Sequence, residues 1–262
     1  MKITIMTFNV LNGWNTSKIG MRDDLAASAI LSKMPDVIGF QELDPFYRLA
    51  DNSLPLLISE HYVEASNAQM SWNPIFYKKD RFNLIDSGEQ VFEKGTVYVY
   101  PKGGYSGFRT VNYALLEDIS SKESFIVFNL HYDFNKDCQI TTENQLFESD
   151  QVISLAQKLV NKYGVNALFV TGDYNSKIDG TACVNMLQHG FTDTHRIALK
   201  KDDKGTCAKL GADLFGDYEG AAIDHVFYIG ERALRVNEYE TVDNVRDASD
   251  HSPVLVTVEL DS

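Results

Sequence analysis

The sequence predicts an α/β domain built on mixed sheets rather than one purely parallel sheet, and three observations carry that expectation. Two amphipathic helical patterns each sit between one apolar, β-branched run and the next, the order expected of βαβ units. The stretch from 75 to 130 is nearly all strand pattern, where a doubly wound parallel sheet would insert helices. Six short polar signatures adjoin the apolar runs, some following their strand and others preceding it. Only strands running in opposite directions bring the ends of one set beside the beginnings of the other.

Taken in order, strand patterns cover Ile3–Phe8, Val37–Phe40, Ile75–Tyr77, Thr110–Leu116, Phe125–Leu130, Ala167–Thr171, Ile223–Ile229 and Val254–Leu260. In the first helix Leu25, Ala26, Ala29, Ile30 and Met34 form an apolar stripe that Pro35 stops. In the second, Val152, Leu155, Ala156, Leu159 and Val160 repeat at helical spacing, and Gly164 follows the end. No linker, composition shift or internal repeat divides the chain, so residues 1–262 read as a single domain. Two long irregular stretches, 86–109 and 200–222, are candidate binding loops.

A chain of 262 residues can bury a substantial core, roughly 70–75% of its unfolded surface. Its net charge of −13 argues against a broad electrostatic grip on nucleic acid, which normally shows as a basic face. A bound cation or a local basic patch can still reverse the field near a site. Cys138, Cys183 and Cys207 are sparse and lack Cys-x-x-Cys spacing, which excludes the pattern of a disulfide framework or a structural zinc site. The start MKITIMTFNV has strand character and no signal-peptide pattern, and no window approaches 18 uncharged apolar residues. The expectation is a cytoplasmic chain without a membrane span.

The six signatures are TFNVLNG (7–13), FQELD (40–44), NLHYDF (129–134), TGDYNS (171–176), AIDHVF (222–227) and SDHSPV (249–254). Their Asp, Glu, Asn and His side chains, without paired Cys, offer the ligand chemistry of Mg²⁺ and phosphate transfer. Asn9 and Glu42 suit a metal pair, because Mg²⁺ keeps several waters and lets substrate phosphate complete its shell. Asp173 and Asn175 point the same way if extended and can grip one water, Asp173 accepting its proton or fixing its lone pair. Asp224 and His251 form a candidate acid–imidazole couple, in which the carboxylate fixes the tautomer and favours the protonated ring. A cationic His251 can donate to a phosphoryl oxygen in the transition state. Asp250 is then free to serve the metal or to position its water. His131 and Asp133 lie on one face of an extended segment as a second phosphate-contacting pair, and Arg109 is the candidate phosphate fork. His61, His189, His195 and His225 read as structural, His225 facing away from its neighbour Asp224.

Together these motifs resemble the endonuclease/exonuclease/phosphatase superfamily, which includes pancreatic-type deoxyribonucleases, abasic-site endonucleases, inositol polyphosphate 5-phosphatases, neutral sphingomyelinases and deadenylases. The order N…E…H-x-D…GDxN…D…SDH extends from Asn9 to His251. NPIFYKKDRFNLIDSG (73–88) and FRTVNYALLE (108–117) resemble bacterial members allied to the deadenylase-like branch. The resemblance implies a four-layer α/β sandwich, with two mixed β-sheets face to face and helices outside. It also implies hydrolysis of a phosphoester by in-line attack of water, dependent on one Mg²⁺ or Mn²⁺ ion. On that basis Asn9 and Glu42 would hold the metal with help from Asp250. Asp173 and Asn175 would hold the water, Asp224 would pair with His251, and His131 would contact the phosphate or assist the leaving group.

The chain departs from the pattern in three places. Ser71 stands where many relatives carry a Glu, the usual THLDH reads NLHYDF, and an Arg often found on the following helix is replaced around Glu148. Two readings follow: a phosphodiesterase or phosphatase acting on a compact substrate, or a nuclease acting on DNA or RNA. Lys102, Tyr105, Phe108 and Arg109, and Lys200, Lys201, Lys204 and Lys209, are the basic clusters a nuclease would use. A third reading, of another class, is a binding module that keeps the fold with weakened catalysis. No protein partner is implied.

Overall fold

The computed structural model describes residues 1–11, 19–45, 53–65, 71–93, 98–99, 106–107, 109–134, 138–207, 220–243, 245 and 247–261. In chain order the elements are β1 (Lys2–Asn9), α1 (Ile19–Lys33), β2 (Val37–Gln41), α2 (Leu54–Leu57), β3 (Tyr62–Glu64), β4 (Ile75–Lys78) and β5 (Phe82–Val91). There follow β6 (Tyr98–Val99), β7 (Ser106–Gly107), β8 (Thr110–Asp118), β9 (Ser124–His131), α3 (Cys138–Tyr163), β10 (Leu168–Asp173) and α4 (Thr181–Gln188). The chain continues with β11 (Thr192–Asp193), α5 (Thr194–Ile197), β12 (Lys200–Lys201), β13 (Asp224–Ile229), β14 (Leu234–Thr241) and β15 (Val254–Leu260). All eight predicted strands are present.

Two mixed sheets carry the fold. The first has the order β12-β14-β15-β1-β2-β4-β3 and the second β11-β13-β10-β9-β8-β5. Within them β1 runs parallel to β2 and β9 parallel to β10, while β15 and β13 run antiparallel to their neighbours β1 and β10. Alternation along each strand sends residues to two different cores. Ile5, Val127, Phe169 and Val256 meet between the sheets. Met6, Phe8, Ile38 and Phe40 pack outward against α1 and α2, and Ile126, Phe128, Leu168 and Val170 outward against α3 and α4. Three cores stacked in this way make the four-layer sandwich that the resemblance implied.

The helices differ from their sequence patterns in ways the packing explains. In α1 the buried face is Ala26, Ala27, Ala29 and Ile30, whereas Leu25 is exposed; small side chains let the helix approach the aromatic outer face of β1 and β2. Met34 leaves the helix at φ 46° and its N–H still closes on Ile30 O at 2.7 Å. The helix α3 begins well before its apolar repeat, because the buried positions of its earlier turns are the polar Gln145, Glu148 and Ser149. The irregular stretch expected from residue 86 starts later, since β5 continues to Val91 against β8. Among the described residues no helix is long and apolar enough to cross a membrane.

Candidate active site

Strand directions decide which polar groups meet. Asn9 ends β1 and Glu42 follows the parallel β2; Asp250 and His251 precede β15, whose Val254 pairs with Thr7. On the second sheet His131 ends β9 and pairs with Asp173 at the end of β10, and Asp173 pairs in turn with Asp224 at the start of β13. The seven signature residues therefore gather at one end of the sandwich, four from the first sheet and three from the second. Opposed strand directions within each sheet, together with the facing of the two sheets, bring them together.

Asp173 is the hub. Its Oδ2 accepts from Asn9 Nδ2 at 3.0 Å and lies 3.3 Å from His131 Nε2 and 3.7 Å from His251 Nε2. Its Oδ1 accepts from the Asn175 N–H at 2.8 Å, which locks the turn that Asn175 enters at φ 46°. Asn175 Nδ2 donates to Tyr132 O at 3.0 Å. Behind the hub, His251 Nδ1 is 2.9 Å from Asp224 Oδ2, which also accepts from Thr206 Oγ1 at 2.6 Å. Asp224 Oδ1 is buried and has no hydrogen-bond partner among the described residues.

The electrostatics separates the two imidazoles. Burial works against a charge on His251, but Asp224, Asp173 and Asp250 together outweigh it and hold its pKa well above the usual value. Burial pushes His131 the other way, and the nearby Arg109 and His251 charges add to the effect, so this ring is neutral near pH 7. Burial, with Asp224 beside it, raises the Asp173 carboxyl against the pull of His251 and the Asn175 N–H. The result is one cationic and one neutral ring on either side of a single carboxylate.

Glu42 and Asp250 form the other half. Asn9 Nδ2 reaches Glu42 Oε1 at 3.3 Å, and both carboxyls are raised by burial, Glu42 further by the charge of Asp250. Glu42 is held at φ 57°, a left-handed conformation that costs a residue with a Cβ about 1–2 kcal/mol. Strain and a carboxyl whose pKa stays raised despite Arg109, His251 and Asn9 fit a cation-binding position at the same residue. Asn9, Glu42 and Asp250 offer only hard oxygen ligands, which suits Mg²⁺ or Mn²⁺. Asp173, Asp224 and His251 also bring ligand atoms within 4.8 Å of one another, a group able to hold a metal when the imidazole is neutral.

Arg109, buried before β8, lies within electrostatic reach of Glu42, Glu148, Asp173 and Asp133, and its own pKa is lowered by burial. Ser71 does not stand in for an acid. Its Oγ accepts from Asn112 Nδ2 and the Asn73 N–H, and His131 Nδ1 is left without a hydrogen-bond partner among the described residues. His225 turns away from the site, 2.9 Å from Ser176 O, as its alternation with Asp224 predicted. Lys102, Tyr105, Phe108 and Lys209 lie outside the described residues.

Several supporting residues escaped the sequence reading. Gln145 Nε2 donates to both Asp133 O and Asn175 O, tying together the turns that follow β9 and β10. Arg22 fastens the segment before β15 to the end of β1 through Ala248 O, Val10 O and Leu11 O. Ser249 Oγ donates to Asn9 O and accepts from the His251 N–H. Glu148 accepts from the Asp133 N–H at 2.8 Å. Ser249 opens the SDHSPV signature and Glu148 stands at a departure from the pattern, but neither had been given a supporting part; Gln145 and Arg22 belong to no motif, and the polar break in the apolar repeat of α3 is the signal that its early turns face something other than core.

Glu148 gives a pH-dependent prediction. Burial raises its pKa from 4.5 to about 8 despite the Asp133 N–H and Arg109. The folded state thus holds a proton that the unfolded state releases, so this contribution is full below about pH 4.5 and is lost as pH rises toward 8. Glu148→Gln keeps an acceptor for Asp133 and removes the titration. Urea midpoints measured at about pH 5 and about pH 8 are expected to differ less in the variant than in the wild type; equal differences would exclude this role for Glu148.

No protein-family model and no curated protein sequence matches the chain. Solved structures do. An endonuclease/exonuclease/phosphatase from Bacteroides vulgatus matches with TM-score 0.76 at 20% identity, covering 100% of both chains. A mannosyl-6-phosphatase from Bacteroides thetaiotaomicron VPI-5482 matches with TM-score 0.77 at 21% identity, over 99% of this chain and 100% of its own. D. rerio TDP2 complexed with a single-strand DNA product matches with TM-score 0.69 at 16% identity, over 98% of this chain and 99% of its own. The chain has the endonuclease/exonuclease/phosphatase fold.

Proposed function

We propose that this chain is a hydrolase of the endonuclease/exonuclease/phosphatase superfamily that cleaves a phosphoester with the help of one Mg²⁺ or Mn²⁺ ion. The observation that carries the reading is the convergence of Asn9, His131 and His251 on one carboxylate oxygen of Asp173. Solved structures of this fold include a mannosyl-6-phosphatase and TDP2 with a DNA product, both proteins that handle phosphate esters.

The ion is assigned to Asn9, Glu42 and Asp250. The alternative group at Asp173, Asp224 and His251 is disfavoured, because an imidazole that keeps its proton is not a ligand. When bound, the ion would polarise the phosphoryl oxygens and offset their charge. Asp173 orients the attacking water and takes its proton, a part suited to a carboxyl whose pKa burial has raised. Asn175 orients the same water through its carboxamide oxygen, its nitrogen being committed to Tyr132. Asp224 holds the His251 tautomer so that Nε2–H donates to a phosphoryl oxygen, while neutral His131 contacts the phosphate or assists the leaving group. Arg109 contributes positive charge on the substrate side. The free thiols of Cys183 and Cys207 suit a reducing, cytoplasmic setting.

A compact substrate is favoured over a polymer. Of the basic residues a nuclease would use, Lys200 and Lys204 are engaged by Glu238 and Asp243, and Lys201 donates to His195 O. The net charge of −13 adds to the argument. The test compares kcat/KM for sugar phosphate monoesters and small diesters against a single-stranded oligonucleotide, each with Mg²⁺. The small esters are expected to be cleaved faster; preference for the oligonucleotide would move the assignment to a nuclease. A binding module would show no turnover on any of them.

A further inference from the structure

Beneath the reacting groups lies a polar layer that is fully buried. Thr7, Gln41, Asn129 and Thr171 are each 0% exposed. Three of them sit two residues behind a signature residue on the same strand: Thr7 behind Asn9, Asn129 behind His131 and Thr171 behind Asp173. Gln41 immediately precedes Glu42. Period-two alternation sends Thr7, Asn129 and Thr171 toward the same face as the residues above them. The layer is therefore the floor of the site.

Asn129 joins the two sheets in this floor. From β9 its Nδ2 donates across to Phe40 O at 2.6 Å, Asn73 O at 3.1 Å and Pro74 O at 3.2 Å, all in or beside the strands of the first sheet. Its Oδ1 accepts from Gln41 Nε2 of the first sheet at 2.6 Å and from Thr171 Oγ1 of the second at 3.0 Å. Gln41 Nε2 also reaches Thr7 Oγ1 at 3.0 Å. The close approach depends on Gly39: a Cβ there would lie 2.3 Å from Thr171 Oγ1 and 2.5 Å from Asn129 Oδ1.

The division of labour between the sheets gives this contact a consequence. Asn9, Glu42 and Asp250, assigned to the ion, belong to the first sheet, while Asp173 and Asn175, assigned to the water, belong to the second. We infer that Asn129 is a positioning residue that sets the spacing between the metal-holding and water-holding halves of the site by hydrogen-bonding across the sheets. This inference rests on the proposed phosphoesterase reading for its catalytic consequence, but its geometric part stands alone. A misplacement of about 1 Å between reacting groups can cost on the order of 10²-fold in rate.

The test uses Asn129→Leu, which keeps the branched shape of the side chain and removes the hydrogen bonds, with Asn129→Thr and Gly39→Ala as second variants should the first not fold. In folded variants kcat is expected to fall at least about 10-fold with KM little changed. Mn²⁺ affinity, read by titration of the protein without substrate, is expected to stay within about twofold, because the ligands lie on one sheet. A general loss of structure would instead lower kcat and Mn²⁺ affinity together. Unchanged kcat in a folded variant, or parallel loss of both, would overturn the inference. If the wild type turns over no phosphoester, it is the functional reading that fails. The inference is then decided by a crystal structure of Asn129→Leu, which is expected to show the Asn9–Asp173 hydrogen bond broken or lengthened; a bond intact at its wild-type length would overturn it.

Discussion

Asp173→Asn is expected to lower kcat by about 10³-fold while leaving Mn²⁺ affinity nearly unchanged. The carboxamide is isosteric, so the packing of a residue only 1% exposed is retained. What changes is the ability to take a proton, and the balance of donors around it. Asn9 Nδ2 and the two imidazoles converge on Oδ2 of a carboxylate, and an amide nitrogen at that position would meet donors with a donor. The kinetic and binding consequences separate because the ligands assigned to the ion come from the first sheet. Steady-state kinetics and a metal titration on the same preparation check this. A kcat within tenfold of wild type would remove Asp173 from proton transfer.

Replacement of Glu42 should have the opposite signature. Glu42→Gln is expected to weaken Mg²⁺ or Mn²⁺ binding by at least about 10²-fold, the upper end of what even outer-sphere partners of a metal cost. Activity should return in part when the ion concentration is raised. Glu42→Gly makes a sharper case, since it removes both the half-buried, raised carboxyl and the Cβ from a residue at φ 57°. That variant is expected to lose the ion yet unfold at a denaturant concentration no lower than the wild type, because relief of left-handed strain offsets the entropy of an added glycine. Stability that falls with loss of the ion site would show that Glu42 is held there by packing rather than for ligation.

The parts of this site that could be read from the sequence are those in which chemistry and periodicity coincide. Asn9, Asp173 and Asp224 stand at the ends of short apolar runs, so the strand pattern and the polar residue identify each other. The pairing of Asp173 with both His131 and Asp224 then follows from strand direction. What could not be read was how the sheets face one another, because a strand pattern does not specify which strand lies opposite. Asn129, Gln41 and Thr171 lie inside strands and look like ordinary interruptions of an apolar run until the second sheet is present. The early turns of α3 were missed for a related reason. Their buried face is polar, so the helical repeat that reveals an element begins only where the helix leaves the site. Leu25 shows the reverse error, an apolar side chain on the outer side of α1 that helical spacing alone assigns to the core.

Ser71 and Glu148 are departures visible in the sequence whose consequences only the fold reveals. Where an acid was expected, Ser71 joins Asn73 and Asn112, and His131 Nδ1 is left without a hydrogen-bond partner among the described residues. Glu148, on the helix that usually carries an Arg, supports the backbone of Asp133 within electrostatic reach of Arg109. The positive charge beside Glu42 and Asp173 thus comes from Arg109, just before β8, with the acid on the helix.

The central claim is that this end of the sandwich activates water for attack on phosphorus with the help of a divalent cation. Hydrolysis of a panel of phosphate monoesters and diesters in water labelled with heavy oxygen, with Mg²⁺ or Mn²⁺ and again with chelator, tests it most directly. The expected result is label on the phosphoryl product of at least one substrate, present with the ion and abolished by chelator. Turnover that persists in chelator, label in the alcohol rather than the phosphate, or no turnover on any substrate would contradict the account.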